Sequence, residues 1–269
     1  MTLSVLGRWF KKARFFSRLL TCYFLVMACA SYGVLASVVL RLVGKVGLAQ
    51  WTTGRAFLAV TCPAVGVDFK VVGEEKLQTR PAVFMSNHQS ELDLIILGRI
   101  FPKYCSVTAK RSLKYIPFLG WFLSLSGTVF VDRANRESAI AAFDTAVKEM
   151  KEKQQSVFVF PEGTRSYFSK ADLLPFKRGA FHLAIQAGVP IVPIVVGNYS
   201  HVLHLQAMSF EGGTIDIRVL DPIPTEGLTG TDVEALSTKV RDMMLQEIKA
   251  IGMQGSIESS SSSELSKNK

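Results

Sequence analysis

The sequence predicts an α/β fold, a mostly parallel sheet flanked by helices, with an N-terminal hydrophobic helical membrane anchor ahead of it. Three observations predict this. After residue 67, short β-branched runs alternate with helical patterns. Most of those runs are apolar on both faces, as in a parallel sheet covered on two sides. Ahead of them, Leu19 to Leu40 is a run of 22 residues without a charge, which at about 1.5 Å per helical residue matches the roughly 30 Å hydrocarbon layer. With 269 residues, 48% of them apolar, the chain can bury a large core, and disordered, collagen-like and coiled-coil classes are excluded.

The net charge of +9 is concentrated at one end. Up to Val67 there are eight Lys or Arg and no acidic residue, whereas the remaining 202 residues carry 23 basic and 22 acidic ones. A nucleic-acid binder carries its basic stripe on the folded domain, interleaved with aromatics. Here the excess lies beside apolar sequence, which suits membrane lipids of an anionic surface and speaks against nucleic acid. Four cysteines, Cys22, Cys29, Cys62 and Cys105, form no C-x-x-C pair and imply neither a disulfide framework nor a zinc site. A reducing, cytosol-facing domain fits them.

The first element is the helix over 19–40, with Arg8, Lys11, Lys12, Arg14 and Arg18 before it and Arg41 and Lys45 after. A signal peptide is one alternative, since Ala28-Cys29-Ala30 resembles a cleavage site, but the apolar run is long for it. A buried core helix is the other. A lone span with basic residues on its N-terminal side sends the downstream chain across the membrane. A second weakly polar run from Val46 to Val67 contains only Arg55 as a charge and can bring the chain back. The expectation is a basic anchor over 1–67, with a second candidate helix at 46–64, that is buried or returning and leaves the next domain in the cytosol.

That domain is expected over 68–252. Its strands are read at Ala82 to Met85, Thr128 to Val131, Val157 to Phe160 and Val189 to Val196. Pro193 makes the last an edge or bulged strand. Ile215 to Val219 alternates like a half-exposed strand. Helices are read at Glu91 to Phe101, Glu137 to Lys151 and Gly179 to Ala187, the last stopped by Gly188. A final helix starts at a Thr231-x-x-Glu234 capping box and runs to Gly252. The Ser-rich tail over 253–269 has too little apolar surface to order itself and is expected to be disordered.

Two blocks can carry chemistry. In NHQSELD, His88 is a general-base candidate and Asp93 a carboxylate that could orient it. On one regular helix a spacing of five separates them by roughly 140°, so they meet only if His88 lies in the turn before the helix. Asp93 could equally be an N3 carboxylate behind a Ser90 cap. In FPEGTRS, Arg165 and amides near Gly163 suit a phosphate monoester. Glu162 repels phosphate and is read as holding a substrate hydroxyl or Arg165, and Thr164 adds a hydroxyl. Lys177 and Arg178 open a helix where phosphate could also bind. From Ile116 to Val131 the chain has 16 uncharged residues broken by Pro117, Gly120 and Gly127, which suits an interfacial or acyl-lining segment bounded by Lys110 and Arg133. Serine-hydrolase, P-loop and dinucleotide motifs are absent from the sequence, no metal is implied, and His201 and His204 are read as structural.

In order, NHQSELD, the Lys110 to Arg133 segment, FPEGTRS and VPIVPIVV resemble the glycerolipid acyltransferase family, specifically its 1-acyl-sn-glycerol-3-phosphate acyltransferases of the eukaryotic, fungal kind. The resemblance covers roughly residues 60 to 252. It implies acyl transfer from acyl-CoA, a co-substrate and not a resident cofactor, to the 2-hydroxyl of lysophosphatidate, giving phosphatidate for phospholipid biosynthesis. It implies His88 as base, Asp93 as its orienting partner, Glu162, Gly163, Thr164 and Arg165 around the glycerol phosphate, and Lys110, Arg133 and Lys177 helping to hold phosphates. Donors for the tetrahedral oxyanion are expected from the turn near Ser90. An endoplasmic reticulum membrane is the expected location, with the domain facing the cytosol. Another acceptor, a lipid hydrolase using His88 to activate water and a non-catalytic membrane adaptor are the competing readings.

Overall fold

The computed structural model describes residues 2–267, with side chains described over 7–252. Helix α1 (Thr2–Leu42) extends the expected apolar helix in both directions, because no Pro interrupts residues 2–42 and the early Lys and Arg are good helix formers. After a short 3₁₀ turn, α2 (Ala49–Val65) stops at Gly66, whose left-handed backbone (φ 70°) turns the chain into β1 (Val67–Val72).

The remaining elements are β2 (Val83–Ser86), α3 (Asp93–Ile100), β3 (Cys105–Lys110), α4 (Leu119–Leu125), β4 (Val129–Val131), α5 (Arg136–Lys153), β5 (Ser156–Val159), α6 (Gly179–Ala187), β6 (Ile191–Val196), the short hairpin β7 (Leu203–His204) and β8 (Ser209–Phe210), β9 (Gly213–Val219) and α7 (Val233–Lys267). One seven-stranded sheet has the order β1-β9-β6-β2-β5-β3-β4. Every pairing in it is parallel except β6 with β9.

The sheet is covered on both faces. Phe84, Phe158, Val192 and Ile194 pack under α1, α2 and α3 with Leu25, Val26, Phe57, Ile95 and Ile96. Met85, Val157, Val159 and Val195 face α5, α6 and α7 with Met150, Phe181, Leu183, Val240 and Met244. The alternation along β2, with Phe84 to one side and Val83 and Met85 to the other, is the two-sided burial read from the sequence.

Several expectations are corrected. β1 and β3 are strands that the apolar pattern does not announce. The first is a sheet-edge strand with alternating burial, and the second carries Ser106 and Thr108 in its interior. Of the two expectations for Pro193, an edge strand is not found and a bulge is. The strand is interior, and the proline sits where the β9 side of its ladder slips, between Ile194 opposite Val219 and Ile191 opposite Ile223. Three steps on β6 there face four on the partner, and the Pro193 carbonyl still accepts from Leu220 N–H at 2.9 Å. The Thr231-Glu234 capping box does not form. α7 starts at Val233, and Glu234 instead pairs with Arg178 at 3.0 Å. The backbone of α7 is helical as far as Lys267, across the Ser-rich stretch for which the sequence predicts disorder. Ile251 is the last residue of α7 that is described as packing on the core.

Helix α1 lies along the domain. Near its start Arg14 pairs with Glu211, and Arg18 donates to the Phe210 carbonyl at 2.9 Å. At its end Arg41 donates to the Leu125 carbonyl at 2.9 Å. From Arg14 to Arg41 is roughly 40 Å of helix. The helix over Gly7–Leu42 is long and apolar enough to cross a membrane, its most apolar 18-residue window having a mean hydropathy of 2.0.

Candidate active site

Because β2, β5, β3, β4 and β6 run the same way, their carboxyl ends share one edge of the sheet, the usual place for an α/β site. That edge gathers His88 after β2, the 160–167 loop after β5, Lys110 at the end of β3 and Arg133 after β4. Residues scattered over 80 positions of sequence, from 88 to 167, become neighbours through topology alone.

The turn between β2 and α3 is held by side chains acting as backbone. The Asn87 amide donates to Val196 O at 2.9 Å and accepts from Val196 N–H at 2.8 Å, lengthening the β2–β6 ladder by one rung. Gln89 Nε2 donates to Val196 O and Gly197 O at 3.1 and 3.0 Å. α3 therefore begins only at Asp93, and His88 is left in the turn before it. His88 Nδ1 lies 2.6 Å from Asp93 Oδ2. The same oxygen accepts from the Gln89 and Ser90 amides at 2.7 and 3.2 Å, and Asp93 Oδ1 accepts from Tyr199 O–H at 2.8 Å. The turn amides expected to meet an oxyanion are thus committed to Asp93.

Asp93 is buried, with its side chain 3% exposed, and that of His88 is 16% exposed. An ionised Asp93 fixes the proton on His88 Nδ1 and leaves Nε2 with its lone pair. Nε2 has no hydrogen-bond partner among the described residues, and the ring lies flat against Phe160, with centroids 4.1 Å apart. Tyr199 was not legible as a site residue. It lies beyond β6, 106 positions from Asp93, and only the fold shows the contact. Burial first, then the Asp93 charge, push its phenol well above the usual range, so it remains a donor.

The 160–167 loop is zipped to this turn. Ser166 N–H donates to His88 O at 2.9 Å and Tyr167 N–H to Gln89 O at 3.1 Å. Glu162 corrects the sequence expectation. It does not pair with Arg165. Its Oε1 accepts from His88 N–H at 2.7 Å, its Oε2 accepts from Leu174 N–H at 3.0 Å, and it is 2% exposed. Burial raises its carboxyl above the ordinary range. Glu162 is thus a buried strut between three loop segments.

Arg165 pairs instead with Glu91 at 3.2 Å, and Tyr167 O–H also donates to that Glu91 oxygen at 2.9 Å. Glu91 is a second residue the sequence reading missed. Arg165 Nε and Glu91 Oε2 are both buried without a partner, which leaves hydrogen-bonding capacity at this spot unused. The Glu91 charge holds the Arg165 guanidinium protonated against the cost of burial. Burial first, and then the charge of Arg165, lower the Arg133 guanidinium from its ordinary value. The Thr164 and Arg165 amides have no acceptor among the described residues. Gly163, at φ 70°, lets the Lys177 stem pack over it, a Cβ there meeting Cγ of Lys177 at 3.4 Å. Lys110, Arg133 and Lys177 have no ion-pair partner among the described residues, whereas Arg178 is taken by Glu234.

An acyltransferase family model matches residues 68–197, the stretch from β1 through the end of β6. The 1-acyl-sn-glycerol-3-phosphate acyltransferase of Saccharomyces cerevisiae is 47% identical over 250 residues, covering 93% of this chain and 81% of the yeast protein. This chain belongs to the glycerolipid acyltransferase family. The human 1-acyl-sn-glycerol-3-phosphate acyltransferase alpha is 42% identical over 177 residues, 66% of this chain and 62% of the human one. The crystal structure of PlsC, the 1-acyl-sn-glycerophosphate acyltransferase of Thermotoga maritima, superposes with a TM-score of 0.71 over 89% of this chain and 98% of the other. At 24% identity that likeness establishes the fold: this acyltransferase has the mostly parallel, helix-flanked sheet of that structure.

Proposed function

We propose that this acyltransferase moves an acyl chain from acyl-CoA to the sn-2 hydroxyl of lysophosphatidate, forming phosphatidate. The observation that carries the mechanism is the 2.6 Å contact of His88 Nδ1 with buried Asp93, which leaves Nε2 as a base. Nε2 takes the proton of the acceptor hydroxyl as its oxygen attacks the thioester carbonyl. The tetrahedral intermediate collapses with cleavage of the C–S bond, and the imidazolium returns the proton to the CoA thiolate. Asp93 stabilises the imidazolium between the two steps. No enzyme nucleophile is needed.

The acceptor phosphate fits Arg165, Arg133 and the unused Thr164 and Arg165 amides, with Lys177 and Lys110 at the rim. The relatives named for lysophosphatidate acylation support this acceptor. An apolar α1 laid on the domain, with Leu20, Phe24, Leu35 and Leu42 exposed, supports a membrane-associated enzyme, and a cytosolic acyl-CoA supply fits the cytosolic face of the endoplasmic reticulum.

The test follows CoA release by the full chain in detergent, given acyl-CoA with and without lysophosphatidate. Acceptor-dependent release, lost in His88→Ala while folding is kept, is the expected result; release without acceptor would mean hydrolysis. Arg165→Ala is expected to raise the KM for lysophosphatidate far more than that for acyl-CoA.

A further inference from the structure

Between β3 and α4 the chain turns its largest side chains away from the protein. Tyr115, Trp121, Phe118 and Ile116 are 75%, 55%, 44% and 37% exposed, and the Phe118 and Trp121 rings lie 5.1 Å apart. Phe118 has φ 60° and ψ −56°. It is the centre of a γ-turn closed by Leu119 N–H donating to Pro117 O at 2.6 Å, a strained conformation for an L residue. The turn is also enforced from behind, since a Cβ at Gly120 would meet the Lys114 carbonyl at 2.1 Å. Large apolar side chains held exposed and together in this way mark an interaction surface.

The inner face of this knuckle shows where it lies. Phe122 and Leu123 are buried with Ala30 and Val34 of α1, and Arg41 caps the Leu125 carbonyl. The knuckle therefore sits beside the second half of α1. There Leu35, Val39 and Leu42 are 68%, 59% and 82% exposed and continue the same apolar surface. Exposed Arg111, Lys114, Arg41 and Lys45 border it, and Lys114 Nζ stands 6.0 Å over the Phe130 ring. Arg111 is paired with Asp132 at 3.9 Å, whereas Lys114, Arg41 and Lys45 have no ion-pair partner among the described residues; aromatic groups bordered by such cations fit the boundary between headgroups and acyl chains of an anionic bilayer. β3 leads into this segment from the sheet edge that carries His88.

We propose that residues 115–121 form a second membrane contact, inserted in the interfacial layer of the leaflet that holds α1 and placed beside the active-site edge. This rests on α1 being a membrane anchor, and the experiment separates the two. The unaltered full chain is reconstituted into vesicles of phosphatidylcholine and phosphatidylglycerol containing a phospholipid with a diazirine in its acyl chain. It is irradiated, and the labelled peptides are mapped. Label on both α1 and the Lys114–Trp121 peptide is expected. Label on α1 alone overturns the knuckle and leaves the anchor standing; label on neither overturns both.

A second arm uses the Trp9→Phe, Trp51→Phe chain, in which Trp121 is the sole tryptophan. Bromolipids are expected to quench its emission while aqueous acrylamide does not. Acrylamide quenching without bromolipid quenching overturns the proposal, as does shielding from acrylamide that appears in detergent micelles only as protein concentration rises, which would mean a second copy covers the patch.

Discussion

Asp93 gathers four donors, and only one of them belongs to the reaction. The His88 contact is legible in the sequence because both residues lie within one short motif. The Tyr199 contact is not, because it joins residues 106 positions apart through the pairing of β6 with β2. The Tyr199 hydroxyl spreads part of the Asp93 charge, so removing it leaves a carboxylate that holds the imidazolium more tightly. Without that contact Asp93 Oδ1 also loses a donor that fixes the carboxylate against His88, so Tyr199→Phe is expected to lower kcat about tenfold, the equivalent of one hydrogen bond to a charged group, with the KM for both substrates nearly unchanged. The acid limb of its pH–rate profile should also move to higher pH. A residue that merely fills space would leave that limb in place, so the profile decides. Glu162 offers a contrasting case. Its two oxygens each accept from a backbone amide, and the Gln that replaces it presents an NH₂ to one of those donors. Glu162→Gln is expected to destabilise the protein by about 1–3 kcal/mol, read as a fall in thermal midpoint. An unchanged midpoint would mean the carboxylate is not the strut between these loops.

At the scale of elements, sequence periodicity located helices and core strands well, and missed strands whose interior is polar or whose face is half exposed. α6 matches its expected limits, Gly179 to Ala187, because Gly188 ends it with a left-handed residue. β3 escaped because Ser106 and Thr108 are satisfied inside the fold, Ser106 Oγ by Gln155 Nε2 at 3.2 Å and Thr108 Oγ1 by the Phe158 carbonyl at 3.3 Å; hydropathy does not register such partners. The close packing of α2 on α3 is equally hidden. A Cβ at Gly98 would stand 2.6 Å from the Gly54 carbonyl and 3.1 Å from Leu58 Cβ, so the two helices touch through glycine. Gly98→Ala must push α3 off α2, with an overpacking cost of roughly 1–3 kcal/mol. Because Asp93 is the first residue of α3, the same shift is expected to lower kcat as well as the unfolding midpoint. A midpoint that falls with kcat intact would show that the Asp93 end of α3 is held independently of its packing on α2.

For the whole molecule, charge distribution and the apolar run marked off an anchor from a domain, and the fold joins what that division separates. A hydropathy profile counts α1 as one apolar helix. The structure divides its circumference, with one side carrying exposed Leu20, Phe24, Leu35 and Leu42 and the other burying Phe15, Ala30 and Ser37. Leu19, Cys22, Leu25, Val26 and Cys29 pack on the same core as Phe84 and Ile95, and Phe122 of α4 closes over Gly33. The helix is thus part of the core as well as of the surface that suits lipid, a dual use that no window average distinguishes. Removing residues 1–42, the natural cut for a soluble catalytic fragment, would bare Phe57, Ile95, Ile96 and Phe122 together. The fragment 43–269 is accordingly expected to aggregate without detergent. In detergent it should unfold at lower temperature than the full chain and lose activity, because α2 and α3, which hold the His88 turn, lose their cover. Size-exclusion chromatography with light scattering, followed by the CoA-release assay, checks this. A monodisperse, fully active fragment would show that α1 is an attachment to the domain and not one of its layers.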